Sequence, residues 1–458
     1  MERLMGPIKL ILLVLLFHGI STGKLMAEKT EEAPNVLLII TDQQTADAMS
    51  CAGNQYLKTP ALDKLASSGI RFTRNYVTQP LCLPFRSSLQ TSRYPHELGI
   101  ENNQMKIKGE FPMLGNLMMA AGYQCYYIGK WHVGTSPQKA GYENYDNVGK
   151  DDAKTEAAIN YLGQEHDHPF FLTVSLMNPH NVCELARANA DGSNLPDGRI
   201  ALPPSDLGKL PPLPTNFKVS SNEPSVIRVA QNNSFKQYPT ADWNELTWRQ
   251  YLWGYYRLVE KVDAEVGRIL RALEESTYGK NTVVLFTSDH GEGIAMHHWN
   301  QKQVLYDQVT RVPLIISWEG KTSKKVYSGL VSNALDIPVT ILDIAGVENP
   351  IGMRGQSLLP VIKGNNIQQR VYVVSETMFA EGAKPLGGKG RMIRTKKYKY
   401  CIYDNGENRE QLFDLEKDPL EMNNLAKNIN FCDVLAKHRK LIKNWAEQVR
   451  DSDFCYGY

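Results

Sequence analysis

The chain has 458 residues, with 51 lysines and arginines against 49 aspartates and glutamates. That near balance removes the electrostatic case for nucleic acid or an anionic membrane surface as partner, and 42% apolar with 22% charged residues is the mixture of an ordinary folded protein. The length exceeds that at which single cores stop growing, which predicts more than one domain.

In chain order, the first feature is MERLMGPIKLILLVLLFHGISTGKLMAEK, a weakly basic start and then an apolar run from Leu10 to Phe17. The run is too short to span a bilayer, so it reads as an export signal over residues 1–27 and predicts a periplasmic or secreted protein; an uncleaved N-terminal anchor is the alternative. No second apolar stretch is long enough for a membrane helix, so no stable membrane association is expected. Export permits disulfides, yet the seven cysteines (51, 82, 125, 183, 401, 432 and 455) are odd in number and scattered, and no CxxC pair occurs. Neither a disulfide framework nor a zinc ribbon is expected.

Apolar, β-branched runs then alternate with helical patterns, which predicts an α/β fold: a large, mixed, mainly parallel sheet with helices on both faces. NVLLIITDQQ is a buried strand ending in Asp42, GYQCYYIGKWHVG one ending in Lys130 and His132, and HPFFLTVSLMNPH one ending in His180. A helix with Leu258, Val262, Val266, Ile269 and Leu273 at helical spacing feeds the strand TVVLFTSDHGE, which ends in Asp289 and His290. Between them, the stretch from Asn181 to Trp248 lacks a period and is expected to form loops over a cleft.

Ligands of open α/β sheets bind outside the carboxyl ends of the strands, so four strands delivering polar groups predict one shared site. Singly, each residue has a plainer explanation, since Asp after a strand often caps a helix and a lone His is usually a hydrogen-bonded one. Together, Asp42-Gln43 and Asp289-His290 supply the hard donors that Ca²⁺ or Mg²⁺ prefers. Arg86, Lys130, His132, His180 and Lys302 would surround that cation with positive charge, and such a site wants a polyanionic group, sulfate or phosphate. Cys82, two residues before Pro84 and four before Arg86 in CLPFRSSLQTSR, is then a structural thiol, a metal ligand or the precursor of something more reactive.

CLPFRSSLQTSR resembles the CxPxRxxxLxTGR signature of the sulfatase family, in which the Cys is oxidised to formylglycine. GKWHVG, NPH, SDHGE and HHWNQKQVLYDQVTRVPLI are similar to further motifs of that family, and the resemblance runs in order from about residue 34 to about residue 445. MIRTKKYKYCIYDNGENREQLFDLEKDPLEMNNLA resembles its small C-terminal α+β subdomain, which implies a catalytic domain over 28–365 and a subdomain over 366–458. The resemblance implies Ca²⁺, with Mg²⁺ as alternative, on Asp42, Gln43, Asp289, His290 and the modified Cys82. It also implies that Arg86 and Lys130 activate the hydrated aldehyde, that His180 and Lys302 hold the sulfate and assist the leaving oxygen, and that His132 takes the proton that expels sulfate. His297, five residues before Lys302, would touch the substrate. A formylglycine-generating or anaerobic sulfatase-maturating enzyme is the implied partner.

Two positions depart from the family pattern: Ser92 stands where Gly is usual, and Gln43 where many members have a second Asp. The activity expected is hydrolysis of sulfate esters, from saccharides of a sulfated glycan, with Trp243, Trp248, Arg187 and Arg199 as loop residues available to sugar rings or acidic groups. A phosphodiesterase or phosphonate monoester hydrolase of the same superfamily is the alternative, and a non-catalytic binding protein a more distant one.

Overall fold

The structure, a computed structural model, describes residues 33–187, 200–234, 240, 242–365 and 367–457. The expected export signal and Arg199 lie outside the described residues.

Eight strands form the main sheet: β1 (Asn35–Asp42), β2 (Ile70–Tyr76), β3 (Gln124–Gly129), β4 (Asn144–Asp146), β5 (Phe170–Pro179), β6 (Thr282–Ser288), β7 (Leu314–Trp318) and β8 (Lys325–Ser332). Their order is β4-β3-β5-β1-β6-β7-β2-β8. All neighbours run parallel except that β7 is antiparallel to both β6 and β2. The expected α/β architecture is therefore found, and the four strands whose ends carry the candidate residues are the contiguous parallel block β3-β5-β1-β6.

Alternation along the strands builds a core on each face. Val36, Leu38 and Ile40 of β1 join Val283 and Leu285 of β6 in one cluster, while Leu37 and Ile39 join Val284 and Phe286 in the other. The second cluster is closed by the long helix Glu245–Glu275, whose Val262, Val266, Ile269 and Leu273 are buried as their spacing predicts. Asn244 starts that helix by accepting the Thr247 N–H at 2.9 Å.

The C-terminal part is a four-stranded antiparallel sheet of β9 (Tyr372–Glu381), β10 (Lys384–Thr395), β11 (Tyr398–Tyr403) and β12 (Glu410–Asp414), followed by the helix Cys432–Val449. One apolar cluster spans both sheets, combining Tyr76, Trp299 and Leu305 with Val373, Phe379 and Met392. Backbone bonds add to this: Glu376 N–H donates to Thr78 O at 2.7 Å, just before the Cys82 segment. Gln303 donates to Ala380 O at 2.8 Å and accepts from Ala380 N–H at 2.7 Å, so β9 also grips the segment that carries Lys302.

Candidate active site

At the carboxyl ends of β1 and β6, the chain turns sharply so that both strands present acids to one point. Gln43 has a φ of 74°, which lets its N–H donate to Asp289 Oδ1 at 3.0 Å. Asp289 N–H in turn donates to Thr41 O at 3.2 Å, tying the two strand ends together. His290 donates from Nδ1 to Gly291 O at 2.9 Å, since a carbonyl only accepts, and this turns Nε2 inward, 3.1 Å from Cys82 Sγ.

Cys82 is the first residue of the helix Cys82–Thr91, with Leu81 extended ahead of it. Its sulfur sits at the positive end of the helix, where Lys302 Nζ donates to it at 3.3 Å and Asp42 Oδ1 lies at 3.8 Å. One turn on, Arg86 points the same way. Its guanidinium, 1% exposed, donates to Asp42 at 3.1 Å, Asp289 at 3.0 Å, Ser175 at 2.7 Å and Lys130 O at 2.8 Å. Lys130 Nζ donates to the same Asp42 oxygen at 2.6 Å. The helix ends at Ser92 in the left-handed conformation (φ 51°), which explains why glycine is usual there. Ser92 offsets the strain by donating to Leu335 O at 2.8 Å and accepting Gly355 N–H at 3.1 Å.

Electrostatics follow from this crowding. Burial and Asp42 oppose ionisation of Cys82, but Lys130, Lys302 and His290 outweigh them and hold the thiol well below its ordinary range. Burial works against the Asp42 carboxylate as well, yet Lys130, Arg86 and Lys302 keep it ionised. His180 is held neutral by burial and by the cations Lys302 and Lys130. Its place is fixed by Asp151, which accepts the Met177 N–H at 2.6 Å and the Asn178 N–H at 2.8 Å where β5 ends.

His180 and Lys302 line a cavity of about 150 Å³ together with Asn102, Asn103, Arg187 and Gly382. A larger groove of about 370 Å³, walled by Tyr56, Tyr256 and Met296, contains none of the strand-end groups. His132 follows β3 with a φ of 43°, and its Nδ1 is buried without a hydrogen-bond partner among the described residues.

His297 is not brought to the cavity, which corrects its expected role as a substrate contact. The loop from Ile294 to Gln303 has left-handed residues at 294, 295, 297, 298, 301 and 303, so helical or strand spacing does not predict where its side chains point. Lys302 turns into the site, while His297 is fully buried, stacked on Tyr306 at 3.8 Å and near Asn216. Burial, Lys399 and Arg228 push its pKa down to about 3. Trp248 is likewise core, 1% exposed and packed edge-on to Trp243 at 4.8 Å. Arg187 does line the cavity, paired with Glu184 at 2.6 Å. Sequence reasoning missed Asn102, Asn103, Ser175, Tyr251 and Glu292, all supplied by loops or positions whose polar residues have no periodic signal.

A model of the sulfatase family matches residues 34–347, and one for the C-terminal part of N-sulphoglucosamine sulphohydrolase matches residues 295–448. The chain belongs to the sulfatase family. It is 32% identical over 451 residues to a Delta 4,5-hexuronate-2-O-sulfatase of Bacteroides thetaiotaomicron, covering 93% of this chain and 91% of that protein. An N-acetylglucosamine-6-O-sulfatase of the same organism is 27% identical, covering 92% and 87%. Among solved structures, a 2-O GAG sulfatase superposes with a TM-score of 0.82 at 31% identity over 92% of this chain and 93% of that one. A phosphonate monoester hydrolase of Agrobacterium radiobacter shares the fold at a TM-score of 0.73 and 21% identity, covering 91% and 96%. This sulfatase is thus a sulfuric ester hydrolase built on the expected fold, and among its described residues no helix is long and apolar enough to cross a membrane.

Proposed function

We propose that this sulfatase is exported through its residues 1–27 to the periplasm or beyond and removes sulfate from saccharides of a sulfated glycan. We further propose that a formylglycine-generating or anaerobic sulfatase-maturating enzyme converts Cys82 to formylglycine. The observation that carries the reading is the Cys82 side chain at a helix start, within bonding reach of His290 and Lys302 and over the buried Asp42–Arg86–Asp289 triad.

A divalent cation fits the donors present. Asp42, Cys82, Asp289 and His290 bring ligand atoms within 4.8 Å of one another, all buried, and Gln43 turns its carbonyl oxygen toward Lys302, which also reaches Cys82. These residues would hold Ca²⁺, which takes oxygen-rich sets, or Mg²⁺. Bound there, the cation supplies Lewis acidity beside the nucleophile, and the hydrated aldehyde of formylglycine supplies the nucleophilic oxygen.

The chain's own groups do the rest. Lys130 and Arg86 hold Asp42 ionised against burial, and Arg86 bridges Asp42 to Asp289, so the acid pair is positioned without reorganisation. Lys302 brings its ammonium to the Cys82 position, where it would hold one oxygen of the sulfate. Neutral His180 sits on the cavity wall beside it, able to direct an N–H at the leaving saccharide oxygen. His132 has a buried ring nitrogen without a hydrogen-bond partner among the described residues, as suits a base that meets its proton only during turnover. The saccharide reading draws on the relatives' substrates and on a cavity wall of amides and arginine (Asn102, Asn103, Arg187) rather than an apolar slot.

The test is sulfate release by matured enzyme from a panel of sulfated mono- and disaccharides, choline sulfate, an aryl sulfate and a phosphodiester. The highest kcat/KM is expected on a saccharide. A higher value on the aryl, choline or phosphate ester than on every saccharide would refute the reading.

A further inference from the structure

Gln43 can serve a cation only through its carbonyl oxygen, and a half-turn of its terminal amide would put an NH₂ group there at almost no steric cost. Two neighbours forbid that half-turn. Lys302 Nζ, which only donates, lies 3.0 Å from Oε1, and the Glu292 carboxylate, which only accepts when ionised, takes the Nε2 hydrogen on the other side. Glu292 is fully buried and receives three further donors: Tyr251 O–H at 2.8 Å, Ile294 N–H at 3.5 Å and Gln301 N–H. None of these partners is a cation. A buried carboxylate without a paired charge is expensive to keep, and this one is satisfied by neutral donors drawn from the β1 end, the long helix and the Lys302 loop.

We propose that Glu292 is a positioning residue for the metal site, which it serves by locking the Gln43 amide with its oxygen inward and by pinning the backbone next to Lys302. The proposal rests on the reading that Asp42, Gln43, Asp289 and His290 hold a divalent cation. An amide at 43 then works as a ligand because a carboxylate at 292 orients it, and the two positions form one unit. Replacing Glu292 by Gln puts a second NH₂ group into a shell of donors; relief comes from turning the Gln43 amide, which aims its NH₂ at the cation and at Lys302. Exchanging the two groups, with Glu292→Gln and Gln43→Glu together, keeps the atoms and the total charge: one carboxylate oxygen takes the new amide N–H and the other faces inward.

Calorimetric titration of Ca²⁺, and separately Mg²⁺, into chelator-stripped protein tests this, with the thermal midpoint of the stripped protein as a check on folding. Glu292→Gln should weaken Ca²⁺ binding about 10- to 100-fold, the range seen when a group behind a metal ligand is lost. The exchanged pair should return to within about threefold of the parent, a recovery that a merely structural role for Glu292 would not produce. If the parent binds neither ion, the metal reading itself fails. If the parent binds and Glu292→Gln binds equally well, the positioning role fails. Should the single variant not fold, the exchanged pair decides: folding and binding support the proposal, and failure of either overturns it.

Discussion

Two buried clusters of charge lie at the carboxyl side of the main sheet, and they are built to opposite ends. Around Lys399, which is fully buried, each cation ends on a partner: Lys399 on Asp307 at 3.0 Å and Glu421 at 2.6 Å, Arg311 on Asp47 at 2.5 Å and Asp307 at 3.4 Å, and Arg394 on the Tyr76 hydroxyl that bonds Asp307. Around Cys82, Arg86 and Lys130 are matched by Asp42 and Asp289, but Lys302 is directed at a sulfur and an amide oxygen. The first cluster welds β11 to the main sheet; the second turns a lysine onto the Cys82 side chain. The same contrast separates two histidines. Glu376 overcomes burial to raise His96 to about 9, whereas burial and two lysines keep His180 neutral.

The largest effect that breaks this comparison is on Cys82. Cys82→Ala should abolish sulfate release, by several orders of magnitude in kcat, while the urea midpoint stays close to the parent's. Lysines from the two clusters sharpen it as a pair. Lys302→Met should lower kcat/KM about 10²- to 10³-fold with little loss of stability, since it removes a charge poised for substrate. Lys399→Met should do the reverse, costing about 3–5 kcal/mol in urea unfolding by stranding Glu421 and leaving Asp307 to Arg311 alone, with kcat per folded molecule retained.

A smaller effect belongs to His96, whose Nδ1 faces Glu376 and whose Nε2 faces Val449 O at 3.2 Å, so that both nitrogens meet acceptors and the ring is an imidazolium. Its folded pKa lies above the unfolded value of 6.5, so its stabilisation is complete below about pH 6.5 and is lost as pH rises through about 9. Urea midpoints should fall across that window, and His96→Gln should flatten the fall. Glu376, Asp451 and Arg391 are the charged groups that face the ring. The smallest change expected is for Ser92→Gly, where relief of a left-handed serine offsets two lost hydrogen bonds and stability should move by less than about 1 kcal/mol.

What the sequence disclosed follows the same division. Asp42, Lys130, His180 and Asp289 were legible because each closes a long apolar strand, and parallel strands converge at their carboxyl ends whatever the loops do. The reversed direction of β7 was not, since a five-residue buried run carries no sign of its orientation. His297 has the right spacing but lies on the wrong side of a loop set by left-handed residues, and nothing in SDHGE marks Glu292 as the acceptor on which four donors converge. The grip of β9 on Gln303 depends on a contact between residues 77 apart, beyond any local pattern.

The central claim, that the charge around Cys82 serves a modified side chain rather than a thiol, is tested most directly by the mass of the tryptic peptide 75–86 from active enzyme made alongside a maturating enzyme. A peptide lighter than the encoded cysteine form, in a fraction that tracks specific activity, is the predicted result. Full activity in protein whose Cys82 is entirely unmodified would contradict it.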